Sequence, residues 1–316
     1  MTKTRHLFAG LAVALAAWLA AGSAYALNDH SWVSPTGGGS TCTRTAPCAA
    51  FVTAEAATNS GGVISVLDPG ANDGFFITIT KSLTIRAEGV DGGATTTSVG
   101  GPWIIVQAGA NDVVTLEGLN FNGGGIRFLS GGHLHLVRCA ITNENLPAEA
   151  GISFQPNSAS KLSVTDTVIS NFGSGTGGGI VINPQSGGTA QVNLERVTVN
   201  GNAFGIAADG SNSTGGINMT IADSMIGGNS QDGIIATTPG GGAPIGVMVT
   251  NSKSVNNAIG IRSIGPNVTV RVENSKVIGN GTGVTSLNGG GLVTYGNNVV
   301  RANGSDGGFT AAAGLQ

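Results

Sequence analysis

Charge is scarce in this chain: Asp, Glu, Lys and Arg make up 10 % of its 316 residues, against about 25 % in an ordinary globular protein. A basic excess is also missing, since 14 Lys and Arg face 17 Asp and Glu. That disfavours nucleic acid as a partner, because phosphate binding needs a basic face. Aromatic residues are 5 %, with three Trp and two Tyr, which weighs against a sugar groove paved with rings. Only three cysteines occur, too few for a cysteine-dense scaffold. One long apolar run exists and no second follows it, so no membrane span is expected in the mature chain.

That run extends from Leu7 to Ala21, after a start carrying Lys3 and Arg5 and before small residues at Ala24 and Ala26. A basic start, a short apolar middle and an A-x-A exit predict a secretory signal peptide over residues 1–26. A membrane anchor is the competing reading, disfavoured because the run is shorter than the ~20 residues a bilayer requires. Cleavage after Ala26 leaves 12 basic and 17 acidic residues, a net charge of −5. The expected address is secreted or periplasmic. Cys42 and Cys48 bracket CTRTAPC, a turn-rich segment, and in an oxidising compartment they are expected to form a local disulfide that pins an N-terminal loop.

What the chain has in abundance is glycine, 54 residues, and a hydrophobic fraction of 40 % in which Val and Ile recur in short alternating runs. Many strands joined by many turns are implied. From residue 113 onward the segments VVTLEGLNFNGGGI, LSVTDTVISNFGSGTGGGI, VNLERVTVNGNAFGI, MTIADSMIGGNSQDGI and VRVENSKVIGNGTGV repeat one pattern. Each has an alternating strand, a polar turn, a second short strand, then a Gly-Ile or Gly-Val step. The position held by Gly118 returns at Arg138, Asp166, Arg196, Asp223, Asn251, Asn274 and Asn297, at intervals of 20 to 30 residues. A strand pattern that persists while the interval varies places the extra residues in loops, as in a solenoid whose turns stack.

The expected fold is therefore all-β: a single right-handed parallel β-helix over residues 61–303, about two dozen residues per turn. A cap over 27–60 precedes it, and a tail or cap over 304–316 follows. CAAFVTAEAAT predicts a short capping helix with Phe51 and Val52 on its apolar face. Ile126, Phe128, Ile152, Phe154, Ile180, Ile182, Ile206, Ile234, Ile261 and Val284 are expected to point inward as stacked apolar columns. The anchor column from Arg138 to Asn297 is read as a structural ladder, its charges alternating in sign before it continues as amides. Asn202, Asn229, Asn257, Asn280 and Asn303 form a second series, expected to occupy a left-handed turn and to hydrogen-bond along the stack. Cys139 falls in a column of small residues, as a buried unreactive thiol.

Over residues 61–303 these turns resemble the parallel β-helix repeats of the pectate-lyase-like superfamily. CTRTAPC, the Ala-rich helix, GGVISVLDPG and the closing TYGNNVVRANG resemble a group of secreted bacterial β-helix proteins. The superfamily holds lyases, hydrolases, esterases, epimerases and noncatalytic surface proteins, so the resemblance implies fold more than activity. A lyase requires a Lys or Arg base over a groove, and many members resemble the pectate lyases in holding Ca²⁺ with clustered carboxylates. A glycoside hydrolase requires two carboxylates facing one bond. The repeats contain neither cluster, and the outward series Glu117, Val137, Thr165, Glu195, Ala222, Thr250 and Glu273 keeps its carboxylates apart.

His133 and His135 share one strand face and are read as a structural pair, a metal site being the alternative. The polar strip Gln155, Asn183 and Asp209 is the expected ligand-binding series, a solvated sheet face being its bland alternative. Trp32 is placed in the N-terminal segment, off the regular repeats. The acidic insertion from Glu144 to Glu149 is a loop that could overhang a groove. The first reading of function is thus a noncatalytic secreted module binding polysaccharide or a surface protein. A polysaccharide lyase or hydrolase, and a structural envelope protein, are the alternatives. No cofactor is expected, with Ca²⁺ entering only for a lyase.

Overall fold

The computed structural model describes residues 27–71, 76–87, 89, 92–95, 103–142, 150–173 and 177–314. The expected leader over 1–26 and the acidic insertion from Glu144 to Glu149 lie outside the described residues.

Alternation in the strands decides the architecture. In Val268–Glu273, for example, Val268, Val270 and Val272 are buried while the residues between them face outward. Repeating this in successive turns builds three parallel sheets, of 12, 10 and 10 strands among the described residues, which we call sheets I, II and III. The turn that begins at Thr189 shows the order: Thr189–Glu195 in sheet I, Thr198–Asn200 in sheet II, Phe204–Asp209 in sheet III, then a loop back to Ile217–Ala222 in sheet I. Neighbouring turns pair in register, as in Val192 with Met219 and Val247 with Val270. The fold is an all-β parallel solenoid.

Its core is a set of columns. All ten residues expected to point inward are buried. Phe128 and Phe154 stack at a centroid distance of 4.5 Å. Each column residue packs on its equivalents above and below, so one apolar core runs the length of the solenoid.

Two corners hold each turn. At the first, Gly118, Arg138, Asp166, Arg196, Asp223, Asn251 and Asn274 all have positive φ, between 41° and 65°, a left-handed step that redirects the chain from sheet I to sheet II. Asn297 departs from this series: the left-handed residue there is Gly296, and Asn297 instead accepts the Asn274 N–H through Oδ1 at 2.9 Å. An extra residue between Thr294 and Val299 shifts the corner by one. Just inside this corner Ser224, Ser252 and Ser275 each accept the N–H of the preceding turn's equivalent residue at 3.1 Å. Cys139 shares that column, buried, and burial raises its thiol pKa to about 11.

At the second corner the left-handed residue lies one position earlier than expected. Asn171, Gly201, Gly228, Asn256, Gly279 and Ala302 take positive φ; the residue that follows is Phe172 in the first case and an Asn in the others, of which Asn202, Asn229, Asn257 and Asn280 are buried and Asn303 half-buried. Asn202 donates through its backbone N–H and Nδ2 to Asn229 Oδ1, at 3.0 and 3.1 Å. Asn229, Asn257 and Asn280 repeat the pair of bonds upward. Asp306 ends the series by accepting both bonds from Asn303. The side chain sits inside because only there can one amide serve two turns in a space without water.

At the N-terminal end, strand Asn28–Val33 already belongs to sheet I and pairs with Thr58–Val66, while Ala311–Ala312 is the last strand of that sheet. Helix α1, Phe51–Ala57, packs on these first strands. Phe51 and Ala54, at i and i+3, form its buried face, whereas Val52 is 53 % exposed. Seven residues make barely two turns, and 100° per residue puts Val52 on the other side. Cys42 and Cys48 form the disulfide.

Candidate functional site

An open groove lies on the outward face of sheet I. Strand register aligns His133, Lys161, Gln191, Asn218 and Gly246 in one column. A second column holds His135, Ser163, Asn193, Thr220, Met248 and Arg271. Between them runs a groove of about 510 Å³ lined by residues from both. A smaller hollow, of about 350 Å³, continues it past His133 to Ala110 and Asn111. At ~4.8 Å per strand, the groove from His133 to Arg271 spans roughly 24 Å. Gly246 opens its floor, since a Cβ there would come within 3.3 Å of Asn218 Oδ1.

The polar part of the lining is hydroxyl and amide with a cation toward each end, Lys161 and Arg271, beside apolar Met248 and the edges of Leu162, Val192, Met219 and Val247, and it carries no carboxylate among the described residues. His133 Nε2 hydrogen-bonds Ser163 Oγ at 2.9 Å, and its ring lies 3.5 Å from that of His135. Burial, then the neighbouring His135 and Lys161, lower the His133 pKa to about 4. Burial lowers that of His135 as well. Both shifts favour the neutral ring at neutral pH. No third His, Cys, Asp or Glu joins them in a cluster able to hold a metal, among the described residues.

Carboxylates line the border of this face and are occupied. Glu117 pairs with Arg138, Glu195 with Arg196, and Glu273 accepts from Thr250 Oγ1 at 3.1 Å. Arg196 also holds Asp166, Nε to Oδ1 at 2.7 Å, and that guanidinium keeps the Asp166 carboxyl below the usual range. The groove's donor set therefore fits neither a calcium cage nor a two-carboxylate hydrolytic centre.

Gln155, Asn183 and Asp209 sit at the end of sheet III on successive turns. Asn183 is only 8 % exposed; its Oδ1 accepts from Asn212 and Gln185, and its Nδ2 donates to the Asp209 carbonyl at 3.4 Å. Asp209 Oδ1 caps its own loop through the Ser211 N–H at 2.9 Å. Two of the three side chains thus hold loops in place. Lys161, Gln191, Asn193, Asn218 and Arg271 were not singled out from sequence, although the alternation around buried Leu162, Val192, Met219 and Val270 marks them as outward neighbours.

No protein-family model and no curated protein matches the chain. Among solved structures it is similar to the crystal structure of pectate lyase Pel9A, with a TM-score of 0.62 and 16 % sequence identity. The match covers 93 % of this chain and 80 % of that one. The fold is a pectate-lyase-like β-helix. At this identity the likeness carries the architecture of that β-helix and leaves the chemistry to the residues. No helix among the described residues is long and apolar enough to cross a membrane.

Proposed function

We propose that this β-helix is a noncatalytic polysaccharide-binding protein that lays an extended glycan along the outward face of sheet I, outside the cytoplasm. The groove carries the reading. It is long and open, three successive turns present Ser163, Gln191 with Asn193, and Asn218 with Thr220 to meet sugar hydroxyls, and Lys161 and Arg271 bring positive charge suited to an acidic chain. The two cations stand four strand positions apart, roughly 19 Å at the spacing of parallel strands. That separation suits two points on one long ligand and not one reacting bond. The Cys42–Cys48 disulfide supports an oxidising compartment, in keeping with the leader expected over 1–26.

The test is affinity electrophoresis of the protein through gels containing acidic or neutral polysaccharides. Retardation by an acidic polymer is expected, with K161A and R271A each weakening it at least about fivefold, roughly 1 kcal/mol for one exposed charged contact. Unretarded migration in every gel would refute the reading. A lyase is the second reading, favoured by Lys161 and Arg271 as the type of base that β-elimination requires. Unsaturated product absorbing in the ultraviolet, lost in K161A or R271A, would replace binding by turnover.

A further inference from the structure

The first turn of sheet I carries a site apart from the groove. Strand Asn28–Val33 brings His30 and Trp32 to the outward face, and register aligns Trp32 with Ser65, Ser65 with Arg86 and Arg86 with Glu117. His30 and Trp32 stack at 3.8 Å with ring planes 17° apart. Ser65 Oγ lies between two groups, 2.8 Å from His30 Nε2 and accepting from Arg86 Nε at 3.2 Å. Ser65 thus engages only the Nε of Arg86, leaving the remaining guanidinium N–H groups for another partner. Burial, Arg86 and Arg44 all lower the His30 pKa, so that ring adds no charge at neutral pH.

The disulfide loop completes the site. Both its cysteines bond the backbone of Trp32: the Trp32 N–H donates to the Cys42 carbonyl at 2.8 Å, and the Cys48 N–H to the Trp32 carbonyl at 3.0 Å. Within the loop the Ala46 N–H closes on the Thr43 carbonyl at 3.1 Å, so Arg44 stands on a tight turn whose two ends are tied to the tryptophan. His30, Trp32, Arg44, Ser65 and Arg86 line a hollow of about 250 Å³. Among the described residues neither guanidinium is paired with a carboxylate; Glu117, the in-register neighbour of Arg86, is held by Arg138. The exposed Arg44 and the half-buried Arg86 thus flank a half-buried indole with guanidinium N–H groups that no carboxylate among the described residues takes up.

We infer that this hollow is a binding site for an anionic sugar residue, the sugar ring against Trp32 and its carboxylate between Arg44 and Arg86. An indole face receives the apolar side of a pyranose, and a guanidinium pair gives a carboxylate directed, charge-assisted bonds. The site rests on its own residues, with Trp32 four strand positions and Arg86 two from His133, and stands whether or not the central groove binds a glycan.

The test is calorimetric titration of the protein with short oligogalacturonate and oligomannuronate, and with their carboxyl-reduced counterparts. At least one uronate is expected to bind, with the reduced form weaker. R44Q and R86Q should each raise Kd about tenfold, the worth of one charge-assisted hydrogen bond, and W32A should raise it further. Arg44 is on an exposed turn, so R44Q leaves the fold intact even if W32A disturbs it. Reducing and alkylating Cys42 and Cys48 should reproduce the R44Q loss with unchanged circular dichroism. Absence of uronate binding, equal affinity for reduced oligomers, or an unchanged Kd in R44Q and R86Q would each overturn the assignment. Loss in K161A and R271A with none in R44Q and R86Q would place the ligand in the groove and sink this site alone. The opposite pattern would keep this site and sink the groove.

Discussion

The two corner columns of the solenoid are both ladders, and they are built on opposite principles. The first, from Arg138 to Asn274, projects its side chains into solvent, where Arg196 pairs with Asp166 and Asn274 Nδ2 donates to Asn251 Oδ1 at 2.7 Å. The second, from Asn202 to Asn303, turns neutral amides inward, and from Asn229 onward each serves a backbone N–H and a side chain on the turn before. Water competes for every bond in the first and for almost none in the second. Periodicity alone does not rank the two columns; burial does.

The sharpest way to break this contrast is N257A. It removes the acceptor for the Asn229 N–H and Nδ2, stranding two buried donors, and we expect a loss of about 3 kcal/mol in urea unfolding. A loss no larger than that of an exposed variant would remove the distinction. S252A, which deprives the buried Ser224 N–H of its partner beside the exposed corner, should cost about 1–2 kcal/mol. It measures how much of the first corner's strength lies just inside it.

A third test uses acid. Asn303 donates to Asp306 and holds that carboxyl below its ordinary value. A depressed folded pKa gives stability that is present above the unfolded value near 3.8 and lost as pH falls through the folded one. Amide exchange at the last turns should therefore accelerate below about pH 4, while D306N, which keeps an acceptor oxygen, should be insensitive to pH there. The smallest effect belongs to R196Q. Its ion pair is half in solvent, and no resolvable shift of the urea midpoint is expected at physiological salt.

The repeat was legible because a solenoid writes each structural role at nearly the same place in every turn, so Ile206, Ile234 and Ile261 announce one column between them. The left-handed step before Asn202 was less legible, since Gly201 and Gly228 blend into a glycine-rich background and the conspicuous Asn drew the assignment. The candidate sites were harder still. The groove exists only once His133, Lys161 and Gln191, which are 28 to 30 residues apart, are brought side by side. Asn183 was as polar on paper as Asn193, and only hydrogen bonds show that the first is committed to Asn212 and Gln185. Trp32 looked detached because NDHSWV shares no motif with the repeats. Its weak signal was the alternation of His30 and Trp32 with the buried Ser31 and Val33.

The amide ladder has a further meaning at its end. A stack in which every Asn greets an identical Asn would accept another copy as readily as its own next turn, which is the logic by which cross-β fibrils elongate. Asp306 breaks that self-similarity. It satisfies Asn303 with a carboxylate whose side chain has no N–H to hand onward, so the side-chain amide series stops copying itself there.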